Sequence, residues 1–143
     1  VAFLQQEHQV ILFGFGKGEH AQLDIWANAY PNVANAVGVY EFGAELRLIA
    51  QLDLMISMDS ANGHLAANHN LPVLTLWGST HPCLGFVPFG QPEQHSLTPD
   101  LTVYPLLPTS VYGNKKVKSY QDAMRSITPK TVIELALEII SGN

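Results

Sequence analysis

Two short apolar runs, each followed at once by polar and turn-forming residues, constrain the fold of this chain more than any other feature. The first run occupies residues 54–58 and the second occupies residues 72–77. Runs of this kind are typical of strands buried on both faces of a parallel sheet. The segment between them, residues 62–68, reads as a helix, so the order is strand, helix, strand.

The same alternation extends back towards the start of the chain. Strands are predicted at residues 9–13 and 33–37, and helices at residues 21–30 and 44–51. In the first of these helices Leu23, Trp26, Ala27 and Tyr30 are spaced for one apolar face, which predicts a core position for Trp26. Alternating strands and helices predict an α/β protein with a Rossmann-like parallel sheet and helices on both faces.

After Pro82 the chain loses its periodicity. Residues 83–114 are rich in Pro and Gly, and a loop this long is usually functional or mobile. Within the loop, residues 101–104 are predicted to form a last edge strand, and residues 120–124 are predicted to be helical. Thr128 and Pro129 then suit the N-cap and first position of a final helix.

Composition bounds the class of protein. The 143 residues are 47% hydrophobic and only 13% charged, with a net charge of -5, which suits one globular domain without general affinity for nucleic acid or anionic membranes. The single cysteine, Cys83, excludes an internal disulfide, and no signal peptide or spanning helix is visible. The lysines at 115, 116 and 118 could meet a phosphate or an acidic headgroup, but a solvated surface run is favoured.

Polar residues follow the two apolar runs where parallel strands end at a common edge. Asp59 and Ser60 suit an N-cap, and His64 falls on the first helical turn. A helix N-terminus at this edge binds anions readily, and ligands of open α/β sheets lie there. Thr80, in the turn after the second run, is expected to line the same crevice. The alternative is an ordinary capped helix in which the histidine ring finds its hydrogen-bond partners without a ligand.

A glycine-rich turn, residues 14–19, follows the first predicted strand. Its layout suits a phosphate or nucleotide, but the spacing fits neither the dinucleotide fingerprint nor the P-loop. The six histidines contain no metal-binding H-E-x-x-H pair, and Ser60 lacks the G-x-S-x-G elbow of a nucleophile. A metal site and a serine nucleophile are therefore not predicted.

Taken as a set, these motifs resemble the C-terminal half of the ADP-heptose:lipopolysaccharide heptosyltransferase family, glycosyltransferase family 9. The resemblance runs in order from Val10 to the last helix. It rests on Asp59-Ser60-x-x-x-His64-Leu65-Ala66-Ala67, a strand led by Pro72, Trp77-Gly78-x-Thr80-x-Pro82, and Pro88-x-Gly90. The family's common form begins Asp-(Ser/Thr)-Gly-x-x-His-Leu-Ala, so Ala61 replaces a glycine. That change places a methyl group near the phosphate and disfavours a positive φ.

The resemblance implies one half of a GT-B fold that binds a nucleotide-sugar donor. Donor-binding residues would then be Asp59, Ser60, Ala61, His64 and Thr80 around the diphosphate and sugar, with Gly16, Glu19 and Tyr40 around the nucleoside. Glu19 would accept a hydrogen bond from the ribose or the adenine. The alternative is that an acidic residue in a first helical turn is favoured by the helix dipole alone. Tyr40 would flank adenine, and an exposed turn tyrosine is the alternative.

The implied activity is transfer from an ADP-sugar to a lipopolysaccharide-type acceptor, with no cofactor beyond the donor substrate. The chain reads as a single nucleotide-sugar-binding domain, residues 1–143, from the C-terminal part of a two-domain protein whose other half holds the catalytic base. Expected partners are the nucleotide-sugar and, through the other half, a lipid-linked saccharide, in the cytoplasm or at the inner face of its membrane. A non-catalytic binding domain, or a GT-B enzyme with another donor, remains open.

Overall fold

Parallel strands and the helices between them make up the framework of the chain, and the computed structural model describes residues 1–142. The strands are β1 (Val10–Leu12), β2 (Val33–Asn35), β3 (Met55–Met58), β4 (Val73–Leu76) and β5 (Ser96–Leu97). The helices are α1 (Lys17–Ala29), α2 (Phe42–Ile49), α3 (Ala61–Asn68) and α4 (Pro129–Ser141). The predicted α/β class with parallel, helix-flanked strands is confirmed.

The strands belong to two sheets, one in each of two compact units. The first unit, Val1–Leu48, contains β1 and β2 in parallel, with Val10 opposite Val33. The second unit, Ile49–Asn143, contains a parallel sheet in the order β3-β4-β5. The assignment of the whole chain to a single nucleotide-sugar-binding domain stays a prediction.

The core of the first unit forms where α1 packs on its two-stranded sheet. Leu23 of α1 is buried with Leu12 and Val33 of the strands, and Ala27 and Tyr30 pack beside them. The predicted core position of Trp26 is wrong, because this side chain is 41% exposed. Leu23 and Ala27 lie about one turn apart on α1, Tyr30 follows the end of the helix, and residue 26 lies to the side of this narrow contact.

The core of the second unit is centred on β4. Val73 and Leu74 point to opposite faces of the sheet, and both are fully buried. Leu74 contacts Ala136 and Ile139 of α4, so this helix covers one face of the strand. The interpretation of residues 72–77 as a strand buried on both faces is therefore confirmed.

Two predictions after residue 82 are wrong. The edge strand is β5, which pairs in parallel with β4, and residues 101–104 form turns instead. Asp100 causes this difference, because its carboxylate accepts hydrogen bonds from the Thr102 N–H (2.8 Å) and hydroxyl (2.7 Å) and so closes a turn. These bonds hold the pKa of Asp100 below its usual range. The helix predicted at 120–124 is replaced by two 3₁₀ turns, Lys118–Tyr120 and Ala123–Ser126.

The final helix begins as predicted. The Thr128 hydroxyl accepts a hydrogen bond from the Thr131 N–H at 3.1 Å, and Pro129 occupies the first turn. The cap of α4 therefore fixes where a core-forming helix starts.

Residues 1–142 contain no helix with the length and apolar character needed to cross a membrane.

We expect Thr128→Ala to lower the free energy of unfolding by about 1 kcal/mol, because the Thr131 N–H loses its partner at the start of α4. Urea denaturation followed by circular dichroism measures this change. Thr128→Ser keeps the hydroxyl and should behave like the wild type. Equal losses in both variants would show that the threonine methyl, not the cap, stabilises the helix.

Candidate functional site

The turn between β3 and α3 places four of the predicted site residues at the start of one helix. β3 ends at Met58 and α3 begins at Ala61, so Asp59 and Ser60 form the whole connection. Ser60, Ala61 and His64 are exposed and Asp59 is half-buried. The N-terminus of α3 is thus open to a ligand from solvent.

Ser60 is the N-cap residue of α3, but its side chain does not cap the helix. Its Oγ lies 3.0 Å from the Oγ of Ser57, which is buried in β3 and donates to the Met58 carbonyl at 2.7 Å. Because the single hydroxyl hydrogen of Ser57 is used there, Ser60 is the donor of the pair. The first-turn N–H groups of α3 donate no hydrogen bond to the Ser60 side chain, which leaves them to other acceptors.

Gly63 lets the start of α3 approach β3 closely. A Cβ at this position would lie 3.2 Å from the Ser57 Oγ and 3.4 Å from the Pro88 Cγ. Sequence reasoning missed this residue. The available signal was a glycine in the first turn of a predicted helix, where it is unfavourable unless close packing requires it.

Ala61 creates no backbone conflict at the position where the resembled family has glycine. It is the first residue of α3, and Asn70 is the one non-glycine residue with a positive φ among residues 1–142. The expected difficulty with a positive φ at Ala61 therefore does not arise. Only its exposed methyl group distinguishes it from glycine.

Thr80 lies at the same edge of the sheet as the β3–α3 turn. β3 and β4 are parallel with Met58 opposite Leu76, so the segments that follow them leave the sheet together. Thr80 is half-buried four residues beyond the end of β4. The two strands thus end at one edge, and the expectation that Thr80 and residues 59–64 line one crevice stays a prediction.

A distant loop holds the turn that contains Thr80. The Thr109 N–H donates to the Ser79 carbonyl at 3.1 Å. Gly113 has φ +62, and a Cβ there would lie 3.0 Å from the Ser79 Cβ and 3.1 Å from the Thr80 Cγ2. The sequence marked this loop as functional or mobile but gave no sign of the contact, because it joins residues about thirty positions apart.

The first unit contains a pocket of about 290 Å³ at the carboxyl ends of β1 and β2. It brings together Gly16 and Tyr40, both predicted to contact the nucleoside. Glu45 of α2, which no sequence motif singled out, also lines it. The remaining lining residues are Phe13, Gly14, Phe15, Ala36, Val37 and Gly38.

Glu19 does not line this pocket. Its Oε2 accepts a hydrogen bond from the Phe15 N–H at 2.7 Å, so the carboxylate closes the glycine-rich turn before α1. Gly14 permits this contact, since a Cβ there would lie 2.8 Å from the same oxygen and 3.0 Å from the Leu23 Cδ1. The geometry accounts for Glu19 as a structural residue of the turn, and its contact with a nucleoside stays a prediction.

Residues 1–142 include no cluster of three His, Cys, Asp or Glu side chains arranged to hold a metal ion. The predicted site residues that follow β3 and β4 carry hydroxyl, carboxylate and imidazole groups. Chemically, they can donate to and accept from a polar ligand, and the helix N-terminus favours a negative charge on it.

We expect Gly113→Ala to lower the free energy of unfolding by about 2–4 kcal/mol, from the cost of a left-handed alanine and from crowding against Ser79 and Thr80. Gly85→Ala is the matched control, because Gly85 has φ +82 and a Cβ there would meet nothing within 4 Å. Urea denaturation should show a loss of only about 1–2 kcal/mol for the control. Equal losses would contradict the contact.

The comparisons with known proteins bear on both regions. The model of glycosyltransferase family 9 (heptosyltransferase) matches residues 1–100, a range that contains the pocket of the first unit, the β3–α3 turn and Thr80. A search of curated proteins and a search of solved structures found no match. Because the family match extends over more than half of the chain, this protein belongs to glycosyltransferase family 9, the heptosyltransferase family.

Proposed function

We propose that this chain is the C-terminal, donor-binding part of a heptosyltransferase-like enzyme that transfers a sugar from an ADP-sugar to a lipopolysaccharide-type acceptor. The observation that carries the proposal is the exposed N-terminus of α3, whose N-cap Ser60 makes no capping bond. Such a terminus, at the carboxyl edge of a parallel sheet, suits the diphosphate of a nucleotide-sugar.

The diphosphate would bind the first-turn N–H groups of α3 and the positive end of the helix dipole. Ser60 can also donate to the phosphate if the Ser57 hydroxyl rotates. Ser57 then donates to the Ser60 Oγ instead of to the Met58 carbonyl, and the Ser60 hydroxyl hydrogen is free for a phosphate oxygen. His64, on the first turn, would donate from its ring. Asp59 is negatively charged, as the phosphate is, and the two would repel each other. We therefore assign Asp59 to hydrogen bonds with sugar hydroxyls or with the backbone of the turn.

The nucleoside would bind in the pocket that Gly16 and Tyr40 line. Its volume of about 290 Å³ is at the small end of ligand pockets and suits a base or a nucleoside. The ring of Tyr40 can stack on a base, and the carboxylate of Glu45 can accept from ribose hydroxyls or from an exocyclic amine. We therefore add Glu45 to the predicted nucleoside contacts.

In the transfer reaction an acceptor oxygen forms a bond to the anomeric carbon, and the bond from that carbon to the nucleotide diphosphate breaks. The α3 terminus, Ser60 and His64 would stabilise the charge on the leaving diphosphate. We propose, from the family resemblance, that the base that takes the acceptor proton belongs to the acceptor-side half. We therefore propose that this chain alone binds the donor without transferring its sugar, and that the whole enzyme works in the cytoplasm.

We expect Ser60→Ala and His64→Ala each to weaken ADP binding roughly tenfold, because each removes a hydrogen bond to a charged phosphate. Isothermal titration calorimetry with ADP, UDP and GDP measures this effect and the preferred base. His69→Ala is the matched control, since His69 is exposed at the other end of α3. Unchanged affinity in both variants would refute the diphosphate assignment, and selective UDP or GDP binding would favour a different donor.

We expect Tyr40→Ala and Glu45→Gln to weaken the binding of ADP and adenosine several-fold while leaving pyrophosphate binding unchanged. Both side chains line the pocket of the first unit that is assigned to the nucleoside. Glu41→Gln removes a neighbouring exposed carboxylate outside the pocket and serves as the control. Parallel losses for adenosine and pyrophosphate, or a loss in the control, would contradict the separate assignment of the two parts of the ligand.

A further inference from the structure

The loop after β5 exposes large apolar side chains to solvent. The exposed fraction is 62% for Leu106 and 77% for Tyr112, and Leu101, Val103 and Val111 are also exposed. Single apolar residues on a surface are ordinary, but a group of them within twelve residues of one loop is typical of an interaction site. We call residues 101–118 the apolar-cationic loop.

The same loop ends in lysines. Lys115, Lys116 and Lys118 are all exposed, and they make up three of the seven basic residues of the chain. No acidic residue occurs between Asp100 and Asp122. A protein with a net charge of -5 therefore concentrates positive charge in one segment.

Hydrogen bonds and ring contacts bring the apolar and cationic parts of the loop together. The Leu106 N–H donates to the Tyr120 hydroxyl at 3.0 Å, and the rings of Tyr104 and Tyr120 meet edge to face with centroids 5.2 Å apart. Since Tyr120 and Lys118 belong to one 3₁₀ turn, the backbone of Leu106 is tied to the turn that carries Lys118.

A second closed turn carries the other apolar side chains. The Ser110 hydroxyl donates to the Asn114 Oδ1 at 2.7 Å and accepts from the Asn114 N–H at 3.0 Å. Val111 and Tyr112 therefore project from the tip of a fixed turn that leads directly into Lys115. The exposed apolar side chains are thus linked to the lysine segment twice, Leu106 through Tyr120 and the pair Val111 and Tyr112 through the Ser110–Asn114 turn.

We propose that the apolar-cationic loop docks on an anionic lipid membrane. Lysines next to a membrane surface are attracted to acidic headgroups, while tyrosine and small aliphatic side chains insert at the headgroup boundary. The solvated interpretation of the lysines explains their charge but not the exposed apolar side chains beside them. Because Thr109 and Gly113 pack on Ser79 and Thr80, docking would hold the turn that contains Thr80 near the lipid surface.

Flotation of the chain with vesicles tests this surface independently of nucleotide binding. The vesicles are phosphatidylcholine alone or phosphatidylcholine mixed with phosphatidylglycerol, at low and high salt. We expect binding only to the anionic vesicles. The variant Lys115→Gln/Lys116→Gln/Lys118→Gln should lose roughly a hundredfold in partitioning at low salt, and Val111→Ser/Tyr112→Ser about tenfold.

Matched control variants remove the same number of positive charges, or a similar pair of exposed apolar side chains, outside the loop. Lys17→Gln/Arg125→Gln/Lys130→Gln removes three positive charges outside the loop, and Ile25→Ser/Trp26→Ser removes an exposed apolar pair on α1. Circular dichroism melting checks that every variant folds. Selective loss in the two loop variants supports the proposal.

Several results would overturn it. These are the absence of wild-type binding to anionic vesicles, equal binding to neutral vesicles, and losses in the controls as large as those in the loop variants. Displacement by inorganic phosphate, but not by sodium chloride of equal ionic strength, would also overturn it, because the lysines would then bind free phosphate.

Discussion

The parallel pairing of β3 with β4 is the constraint on which the second unit depends. With Met58 opposite Leu76, the two strands end at one edge, and the turns that contain Ser60 and Thr80 follow from that edge. The pairing is stabilised by burial, because Val73 and Leu74 are fully buried on opposite faces of β4. A shift of one residue in this register would reverse the side chains of a whole strand, so the core fixes the position of the site.

Small residues let the start of α3 lie close to that edge. Ser57 and Gly63 are both buried, and the glycine leaves room for the serine hydroxyl and for Pro88. The buried hydroxyl then holds Ser60 by a hydrogen bond, so Ser60 does not cap its own helix. One polar group inside the unit thereby prepares the helix end to accept a ligand, and our proposal assigns that role to a donor diphosphate.

Local signals predicted the fold class and several boundaries, including the start of α4 at Thr128 and Pro129 and the turn at Asp59 and Ser60. Most failures involve packing between distant segments, and the turn that Asp100 closes on Thr102 is the local exception. Trp26 is spaced for the core, but the narrow contact of α1 leaves it exposed, and β5 lies at residues 96–97 because it pairs there with β4. Glu45 and Gly113 have no motif, since a pocket and a contact between remote loops give them their positions.

The most direct test of the donor site is a nuclear magnetic resonance titration of the ¹⁵N-labelled chain with ADP and with adenosine. The proposed site predicts that ADP, but not adenosine, shifts the amide signals of residues 61–64, whereas both ligands shift the signals of Gly16 and Tyr40. Amide shifts confined to other residues, or identical shifts of residues 61–64 with both ligands, would contradict the assignment of the α3 terminus to the diphosphate.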